Sequence, residues 1–277
     1  ERMFGIDARR QLPQWQKQTL SQWWNCRIGS PSSSVAPQKA VLFKDTFTNY
    51  FEPEIGIAAI ELCEAAGIRI GLAPNHCCGR PLISQGMLNQ AREYARKNVQ
   101  SLFPVVQKGL KIVVCEPSCL SALCEDAPAL LRGEEQEKAK AIAESCLLFE
   151  EFMEMASRSG NGDLSFISGP SKILLHGHCH QKAMGRVAPA KVLLSRIPDC
   201  RVVDLDAGCC GMAGSFGYMK AHYDVSCQIA ERQLLPAVRE KDSETVVVAS
   251  GTSCRHQVRD LSGESALHPA LLLRSLL

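Results

Sequence analysis

The stretch DAGCCGMAGSFG at residues 206–217 contains two adjacent cysteines, Cys209 and Cys210, followed by a glycine. The same Cys-Cys-Gly triplet occurs once more, in the stretch HCCG at residues 76–79. Adjacent cysteines are seldom placed for packing, because neighbouring side chains point in different directions. A following glycine, which tolerates a positive φ, predicts a tight turn that aims thiolates and backbone N–H groups at one point. Each triplet therefore indicates half of a metal or iron–sulfur site.

The sequence around the two triplets is duplicated. The segment VVCEPSC at 113–119 aligns with VASGTSC at 248–254, and FKDTF at 43–47 aligns with HGHCH at 176–180. In each copy, short apolar segments alternate with segments of helical periodicity, which predicts parallel strands flanked by helices. We therefore expect an α/β fold with two pseudo-symmetric repeats, each a short parallel sheet flanked by helices.

The predicted elements follow from apolar runs and helix-ending residues. Strands are predicted at 41–43, 68–70, 111–114, 173–175, 201–203 and 245–248. Helices are predicted at 55–66, 87–103, 189–197 and 218–238, with one or two more within 133–159. The expected organisation is an N-terminal helix and linker (1–38), a first repeat with a helical insertion (39–168) and a second repeat (169–277).

Each repeat offers three loops at the carboxyl ends of its strands: one after the first strand, the Cys-Cys-Gly turn, and one after the last strand. In open parallel sheets such loops converge where ligands bind, and we expect both sets to line a central crevice. Four thiols in each repeat are enough for an iron–sulfur cluster or a tetrahedral Zn²⁺. The candidate ligands are Cys77, Cys78, Cys115 and Cys119 in repeat 1, and Cys179, Cys209, Cys210 and Cys254 in repeat 2.

Each repeat also has the form of a five-cysteine pattern that lacks one member. Repeat 1 has Thr46 where repeat 2 has Cys179, and repeat 2 has Ser250 where repeat 1 has Cys115. A helix is expected to begin directly after Cys119 and after Cys254, so that its N-terminal amides offset the negative charge of a thiolate cluster.

The residues around these cysteines have less specific roles. Four histidines are expected to hydrogen-bond to sulfur or backbone around the metal: His76, His178, His180 and His256. A sharper hypothesis is that His178 or His180 replaces the missing thiolate or protonates a substrate in the crevice. Arg255 and His256 are candidates to face an anionic substrate or a flavin domain, and Glu116 and Asp206 are expected to cap helices. No side chain is predicted to be catalytic. The other six cysteines are expected to be small buried hydrophobes: Cys26, Cys63, Cys124, Cys146, Cys200 and Cys227.

Composition narrows the class of protein. Fourteen cysteines in 277 residues, in a chain rich in helix formers, favour metal-bound thiolates in a reducing compartment over a secreted disulfide framework. The net charge of +2 and the absence of a basic tract argue against nucleic-acid binding. No apolar run reaches the roughly 20 residues that span a bilayer, and the N-terminus lacks a signal peptide. We expect a cytoplasmic location, with a peripheral position at the inner face of the membrane as an alternative.

The doubled arrangement of Cys, Cys-Cys-Gly, Cys and Cys resembles the cysteine-rich CCG domain of heterodisulfide reductase. The iron–sulfur subunits of glycolate, lactate and glycerol-3-phosphate oxidoreductases contain the same domain. The stretches APNHCCGRP at 73–81 and LHGHCHQK at 175–182 are similar to the C-terminal region of large FAD-linked oxidases, among them D-2-hydroxyglutarate and D-lactate dehydrogenases. The similarity covers roughly residues 38–277.

The resemblance implies electron transfer from a flavin through one or two 4Fe–4S clusters, serving an FAD-dependent 2-hydroxy-acid dehydrogenase. The implied partners are an FAD-binding domain or subunit outside this chain and an acceptor that is a quinone or an electron carrier. Zn²⁺ is an alternative occupant of repeat 1. Two other functions remain open. One is a zinc-stabilised domain that completes a partner's active site. The other is a thiol–disulfide crevice with Cys209 and Cys210 as the reactive pair.

Overall fold

A computed structural model describes residues 5–27, 38–160 and 164–277 of the chain. These residues form two compact units. One unit comprises Trp15–Leu164 and contains repeat 1; the other comprises Ser165–Leu277, with repeat 2, and the described residues up to Gln14. The predicted linker falls mainly on residues 28–37, which lie outside the described residues.

The unit of repeat 1 is built on a four-stranded parallel sheet in the order β2-β1-β3-β4. Its strands are β1 (Ala40–Phe43), β2 (Ile70–Leu72), β3 (Lys111–Val114) and β4 (Cys146–Leu148). Its helices are α1 (Leu20–Arg27), α2 (Thr46–Tyr50), α3 (Pro53–Ala65), α4 (Arg80–Ser84), α5 (Leu88–Gln107), α6 (Pro117–Ser121), α7 (Ala127–Leu130), α8 (Gly133–Ser145) and α9 (Phe149–Arg158). All four residues of β1 are buried, as expected for a strand with helices on both faces of its sheet.

The unit of repeat 2 has the same architecture, with the parallel order β6-β5-β7-β8. Its strands are β5 (Lys172–Leu175), β6 (Arg201–Asp204), β7 (Thr245–Val248) and β8 (Ala266–Leu267). Its helices are α10 (Cys179–Ala183), α11 (Ala188–Leu194), α12 (Tyr223–Glu231), α13 (Leu234–Arg239), α14 (Thr252–Ser262) and α15 (Pro269–Arg274). The prediction of an α/β fold with two repeated parallel sheets is confirmed.

The shared strand order positions the cysteine loops within each unit. The chain moves from β1 outward to β2, and then crosses to the other side of β1 to form β3. The direction of strand order therefore reverses between β1 and β3, and likewise between β5 and β7. Ligands of open parallel sheets bind at such switch points, outside the carboxyl ends of the strands. The segments after β1, β3, β5 and β7 contain the single candidate cysteines or their replacements, whereas the two Cys-Cys-Gly turns follow β2 and β6. That the loops of both units line one central crevice stays a prediction.

Several predicted elements have different bounds. The strand predicted at 68–70 lies at Ile70–Leu72, and each sheet has a fourth strand, β4 or β8, that was not predicted. The final cysteine loops therefore follow the third strands rather than the last ones. The single helix predicted at 218–238 is divided into α12 and α13. The division has a physical reason, because Pro236 has no N–H to donate to the carbonyl of the residue four positions earlier.

The described N-terminal residues brace the 206–217 stretch of repeat 2. The backbone N–H of Asp7 donates to the Tyr218 carbonyl at 2.8 Å. The buried guanidinium of Arg10 donates from Nε to the Gly217 carbonyl at 2.8 Å and from Nη2 to Ser226 Oγ at 2.9 Å. These bonds fix the segment that follows the second Cys-Cys-Gly turn, and so help to hold that turn against α12.

Candidate metal centres

Repeat 2 brings its four predicted thiols together in one row. Cys179 is the first residue of α10, Cys209 and Cys210 follow β6, and Cys254 is the third residue of α14. Cys179 hydrogen-bonds with Cys209, Cys209 with Cys210, and Cys210 with Cys254. Cys210 and Cys254 are buried, whereas Cys209 is half-buried and Cys179 is exposed. The row therefore runs from the surface of the unit into its interior.

The directions of the pKa shifts alternate along this row. A hydrogen bond from Cys179 lowers the pKa of the Cys209 thiol, and a further bond from Cys210 lowers it more. A hydrogen bond with Cys210 lowers the pKa of Cys254 well below its ordinary value, with further contributions from His176 and His178. The same bonds raise the pKa values of the donors Cys179 and Cys210. Two of the four sulfurs are therefore favoured as thiolates, the form that binds metal.

The two helix positions differ from the prediction. Cys119 and Cys254 were expected just before a helix, but α6 and α14 begin two residues earlier, at Pro117 and Thr252. Both cysteines therefore lie within a first helical turn, and their own N–H groups donate to the carbonyls of the cap residues Glu116 and Gly251 at 3.0 and 3.1 Å. The amides near the thiols include the N–H of Gly211, which donates to Cys209 Sγ at 3.3 Å. These are the contacts by which backbone amides stabilise sulfur anions.

His176 is a member of this site that the sequence analysis did not select. Its imidazole and the thiols of Cys210 and Cys254 place their ligand atoms within 4.8 Å of one another, and all three residues are buried. The alignment of the two copies paired His176 with Phe43, a core residue, so His176 was not selected as a candidate. Its position directly after an apolar strand, three residues before a candidate cysteine, was the signal available.

The four histidines that the sequence predicted around the metal differ in their surroundings. His178 is the N-cap of α10, and its Nδ1 accepts from the His180 N–H at 3.2 Å and lies 3.9 Å from Cys179 Sγ. The His180 ring is half-buried and stacks on His178, with centroids 5.4 Å apart. His256 is buried, with Nδ1 2.9 Å from the Tyr218 hydroxyl. His76 is exposed, and its backbone N–H donates to Asn98 Oδ1 at 2.9 Å.

The hypotheses for Arg255 and Asp206 are not supported. Arg255 is buried, and its guanidinium donates to the carbonyls of Ala249 and Ser250 and to Thr252 Oγ1, so it holds the β7–α14 loop rather than facing a ligand. Asp206 caps no helix; its carboxylate is exposed and lies 3.4 Å from Lys182 Nζ. Glu116 does cap α6, because its side chain accepts from the Ser118 N–H at 3.1 Å.

The cysteines outside the motifs divide into groups. Cys63 and Cys146 are buried as predicted, whereas Cys124, Cys200 and Cys227 are only half-buried. Cys26 is exposed, so the prediction of a buried hydrophobe was wrong for it. None of the fourteen cysteines, all of which lie in the described ranges, forms a disulfide.

Repeat 1 assembles three of its four thiols in a different electrostatic setting. Cys77 hydrogen-bonds with Thr46 and Cys78, and Cys78 Sγ lies 3.0 Å from Cys119 Sγ. The pKa values of Cys77 and Cys78 are raised, chiefly by their hydrogen bonds with Cys78 and Cys119 respectively. A hydrogen bond with Cys78 lowers the pKa of Cys119, but burial and the carboxylates of Asp45 and Glu116 raise it to about 11. Cys115 is buried directly after β3.

Besides the hydrogen bonds between the thiols, the residues that cap the helices contribute to the contrast between the repeats. In repeat 1, the N-cap residues of α2 and α6 are the acids Asp45 and Glu116. In repeat 2, the corresponding caps of α10 and α14 are His178 and Gly251. Carboxylates disfavour nearby thiolates and an imidazole favours them. The donor set of repeat 2, with four sulfurs and a buried imidazole, therefore fits a thiophilic metal or an iron–sulfur cluster better than that of repeat 1.

Gly251 makes room for His178. A Cβ at position 251 would lie 2.2 Å from His178 Cδ2 and 3.0 Å from Cγ, so Gly251→Ala should force the imidazole out of its place. The N-cap bond of α10 would be lost, which costs about 1 kcal/mol of stability. We expect weaker metal retention together with this loss, measured by urea denaturation and by metal analysis after dialysis.

The control is a double-mutant cycle with His178→Ala. If overlap with the imidazole is the cause, Gly251→Ala should cost little more once that ring is absent. An equal cost in both backgrounds would contradict this account, since the backbone of Gly251 has an ordinary φ of −84°.

Comparison with known proteins gives an independent result. A family model described as "CCG: Cysteine-rich domain" matches residues 45–124 and 173–259, which contain the cysteine loops of repeats 1 and 2. The first matched segment includes β2 and β3, and the second includes nearly all of β5 together with β6 and β7. The pairing of one domain match with each unit agrees with the duplication that the sequence predicted.

Similar proteins also include curated relatives. The chain is 30% identical to a subunit of the anaerobic glycerol-3-phosphate dehydrogenase of Escherichia coli (strain K12) over 276 residues, covering 97% of this chain and 66% of that protein. It is 29% identical to the D-2-hydroxyglutarate dehydrogenase of Pseudomonas putida, covering 88% of this chain and 24% of that protein. Lactate utilization protein A of Bacillus subtilis is 25% identical, with 76% and 87% covered. The chain thus spans just under two thirds of the first relative and about a quarter of the second.

No helix in the described ranges combines the length and the apolar character that crossing a bilayer requires.

Proposed function

The chain belongs to the CCG family of cysteine-rich domains, and from this membership we propose that it is an electron-transfer part of an oxidoreductase, with an iron–sulfur cluster in repeat 2. The observation that carries the proposal is the row of four contacting thiols at the switch point of one parallel sheet. The names of two relatives support it, because each is a dehydrogenase or a dehydrogenase subunit.

The residues that would hold the cluster are those of the row: Cys179, Cys209, Cys210 and Cys254. When bound, an iron–sulfur cluster supplies a centre that accepts and releases one electron at a time. The protein's own contribution is to present sulfur as thiolate before metal arrives, through the bonds that lower the pKa values of Cys209 and Cys254. The Gly211 N–H at Cys209 Sγ is one of the sulfur hydrogen bonds that tune a cluster's potential.

We assign repeat 1 a lesser role in this proposal. Its sulfurs lie beside Asp45 and Glu116, and neither Cys77, Cys78 nor Cys119 has a lowered pKa. A dianionic or more negative thiolate cluster is costly in such a setting. Zn²⁺ keeps its charge of 2+, whereas the core of an iron–sulfur cluster loses positive charge when it is reduced, so Zn²⁺ is the metal we propose if repeat 1 binds one.

The finer part of the proposal concerns the reaction. We propose that the electrons come from a flavin on an FAD-binding domain or subunit and pass to a quinone or a soluble carrier. The substrate class we favour is a 2-hydroxy acid of the D-2-hydroxyglutarate or D-lactate type, in a cytoplasmic enzyme. The similarity to a D-2-hydroxyglutarate dehydrogenase and to a lactate utilization protein supports this class. The similarity to the glycerol-3-phosphate dehydrogenase subunit supports only the broader proposal of an oxidoreductase.

Anaerobic purification tests the cluster directly. The protein should be brown, should contain iron and acid-labile sulfide, and should give a paramagnetic signal on reduction with dithionite. Colourless protein with stoichiometric zinc and no iron would overturn the proposal in favour of a zinc-stabilised structural domain. In that case the partner's active site, rather than this chain, would supply the redox chemistry.

A thiol–disulfide function is the second candidate, because Cys179 is exposed and contacts Cys209, whose pKa is lowered. The pair predicted from sequence, Cys209 and Cys210, is a poor choice because Cys210 is buried and has a raised pKa. Iodoacetamide labelling of the protein as purified separates the two functions. Rapid modification of Cys209 in metal-free protein would favour exchange chemistry, whereas protection that is lost on chelation would favour metal binding.

A further inference from the structure

We propose that His176 is itself a ligand of the metal centre in repeat 2, a nitrogen donor that takes the place of the thiolate missing at Ser250. The inference deepens the proposed function, since it rests on a metal being bound among the cysteines of this repeat. The inference adds to the proposed function a metal ligand that is not a cysteine.

The burial of His176 is the first argument. Only 1% of the residue is exposed, and within the described residues its ring interacts with the Cys254 thiol, but neither ring nitrogen has a hydrogen bond of good geometry. A buried polar group without a partner is destabilising, and such groups in folded proteins need a specific explanation. The neighbours of this imidazole are the thiols of Cys210 and Cys254, with ligand atoms no more than 4.8 Å apart. A metal bound by all three residues would satisfy the imidazole.

The strand order provides the second argument. The backbone N–H of His176 donates to the Val248 carbonyl at 2.8 Å, which extends the β5–β7 ladder by one bond and fixes the direction of the loop. Ser250 lies two residues beyond the end of β7. The imidazole therefore comes from the end of β5, the neighbour of β7, and it is the loop after β7 that has Ser250 in place of a cysteine.

The third argument is that repeat 1 has no equivalent imidazole. One residue, Lys44, separates the end of β1 from the cap of α2, and its Nζ donates to the carbonyls of Ala73 and Asn75. In repeat 2, two residues, His176 and Gly177, separate β5 from the cap of α10. The loop of repeat 2 is one residue longer, and it places a histidine where repeat 1 places a lysine that binds backbone.

A neutral nitrogen ligand has a measurable consequence. Replacing a thiolate by imidazole leaves a cluster less negative, and histidine ligation raises reduction potentials in other iron–sulfur proteins. His176→Cys would return a thiolate to the site. We therefore expect this variant to keep its iron but to have a lower reduction potential than the unaltered protein.

Pulsed electron paramagnetic resonance of the reduced, anaerobically purified full chain tests the ligand. Samples are prepared with natural-abundance and with ¹⁵N-labelled histidine. A strongly coupled nitrogen that changes with the label is expected in the unaltered protein and in His180→Phe, the matched control. The coupling should be absent in His176→Cys. Circular dichroism and iron content should show that this variant keeps its fold and its cluster.

The outcomes separate this inference from the proposed function. An iron–sulfur protein without a strongly coupled histidine nitrogen, or one that keeps the coupling in His176→Cys, would overturn the inference and leave electron transfer intact. If the protein contains zinc and no iron, the proposed function fails, and X-ray absorption at the zinc edge takes over as the readout. Imidazole scattering that disappears in His176→Cys would then support ligation by His176, and its absence from the unaltered protein would overturn it.

Discussion

Cys254→Ser should remove nearly all iron and sulfide from anaerobically purified protein, because Cys254 is the buried end of the thiol row and one of the two sulfurs favoured as thiolate. Its pKa is lowered through its bond with Cys210 and by the nearby imidazoles of His176 and His178. A serine hydroxyl, with a much higher pKa, supplies no comparable anion. The measurement is iron and sulfide per chain, together with the visible absorbance.

Cys119→Ser is the matched control, since Cys119 occupies the corresponding third position of helix α6 in repeat 1. Its thiol is buried near Asp45 and Glu116, and its pKa is raised to about 11. We expect this variant to keep its iron and sulfide, with a loss of zinc if repeat 1 holds that ion. Equal loss of iron in both variants would show that each repeat carries a cluster, contrary to the role proposed for repeat 1.

Gly211→Ala should destabilise the unit of repeat 2 by about 3 kcal/mol, the sum of a backbone and a packing cost. Gly211 has a φ of +91°, where a side chain costs roughly 1–2 kcal/mol. A Cβ there would also lie 2.2 Å from the Ser226 carbonyl oxygen, which accepts from Gln257 Nε2 at 3.1 Å. Moving that backbone is an overpacking cost of about 1–3 kcal/mol. Hydrogen exchange in urea, read separately for the two units, measures the effect.

Gly79→Ala in the other Cys-Cys-Gly turn isolates the packing cost. Gly79 has a similar φ of +85°, but the nearest atoms to an added Cβ lie 3.7 Å away, an ordinary contact. This variant should therefore lose only the backbone part, roughly 1–2 kcal/mol, and only in the unit of repeat 1. Equal losses of unfolding free energy at the two glycines would mean that α12 can shift at no cost and that the Ser226 contact does not hold the turn.

The thiol row illustrates how far sequence reasoning reached. Adjacent cysteines before a glycine predicted a turn, and both glycines do have positive φ. The alignment of the two copies selected Cys179 and Cys254 as partners of the turn at 209–210, and the fold brings these sulfurs into contact. This succeeded because duplicated parallel sheets place equivalent loops at equivalent strand ends, which depends on strand order rather than on side-chain detail.

The alignment failed where loop length mattered. It set His176 against Phe43, but Phe43 is the last residue of β1, and the last residue of β5 is Leu175. The extra residue of the repeat 2 loop moves His176 out of the strand and into the site. The ungapped alignment does not reveal this insertion. In a parallel sheet, however, one extra residue changes which side chain follows the last hydrogen bond between the strands.

The strands β4 and β8 were missed for a related reason. Each has only two or three residues, too few to give a period of its own, and β4 lies between two helices in a segment whose pattern is helical throughout. Pairing with the neighbouring strands β3 and β7 is what makes these residues strands. Local propensity is weaker than such tertiary pairing.

Local signals in the chain, namely strand alternation, glycine turns and duplicated motifs, were enough to predict two copies of one parallel α/β unit and the cysteines that each copy contributes. The charged groups around the sulfurs became apparent only from the three-dimensional packing. Asp45 and Glu116 face the thiols of repeat 1, and His176 and His178 face those of repeat 2. The preference for thiolate depends on distances of a few ångströms between residues far apart in the chain, which spacing along the sequence does not fix.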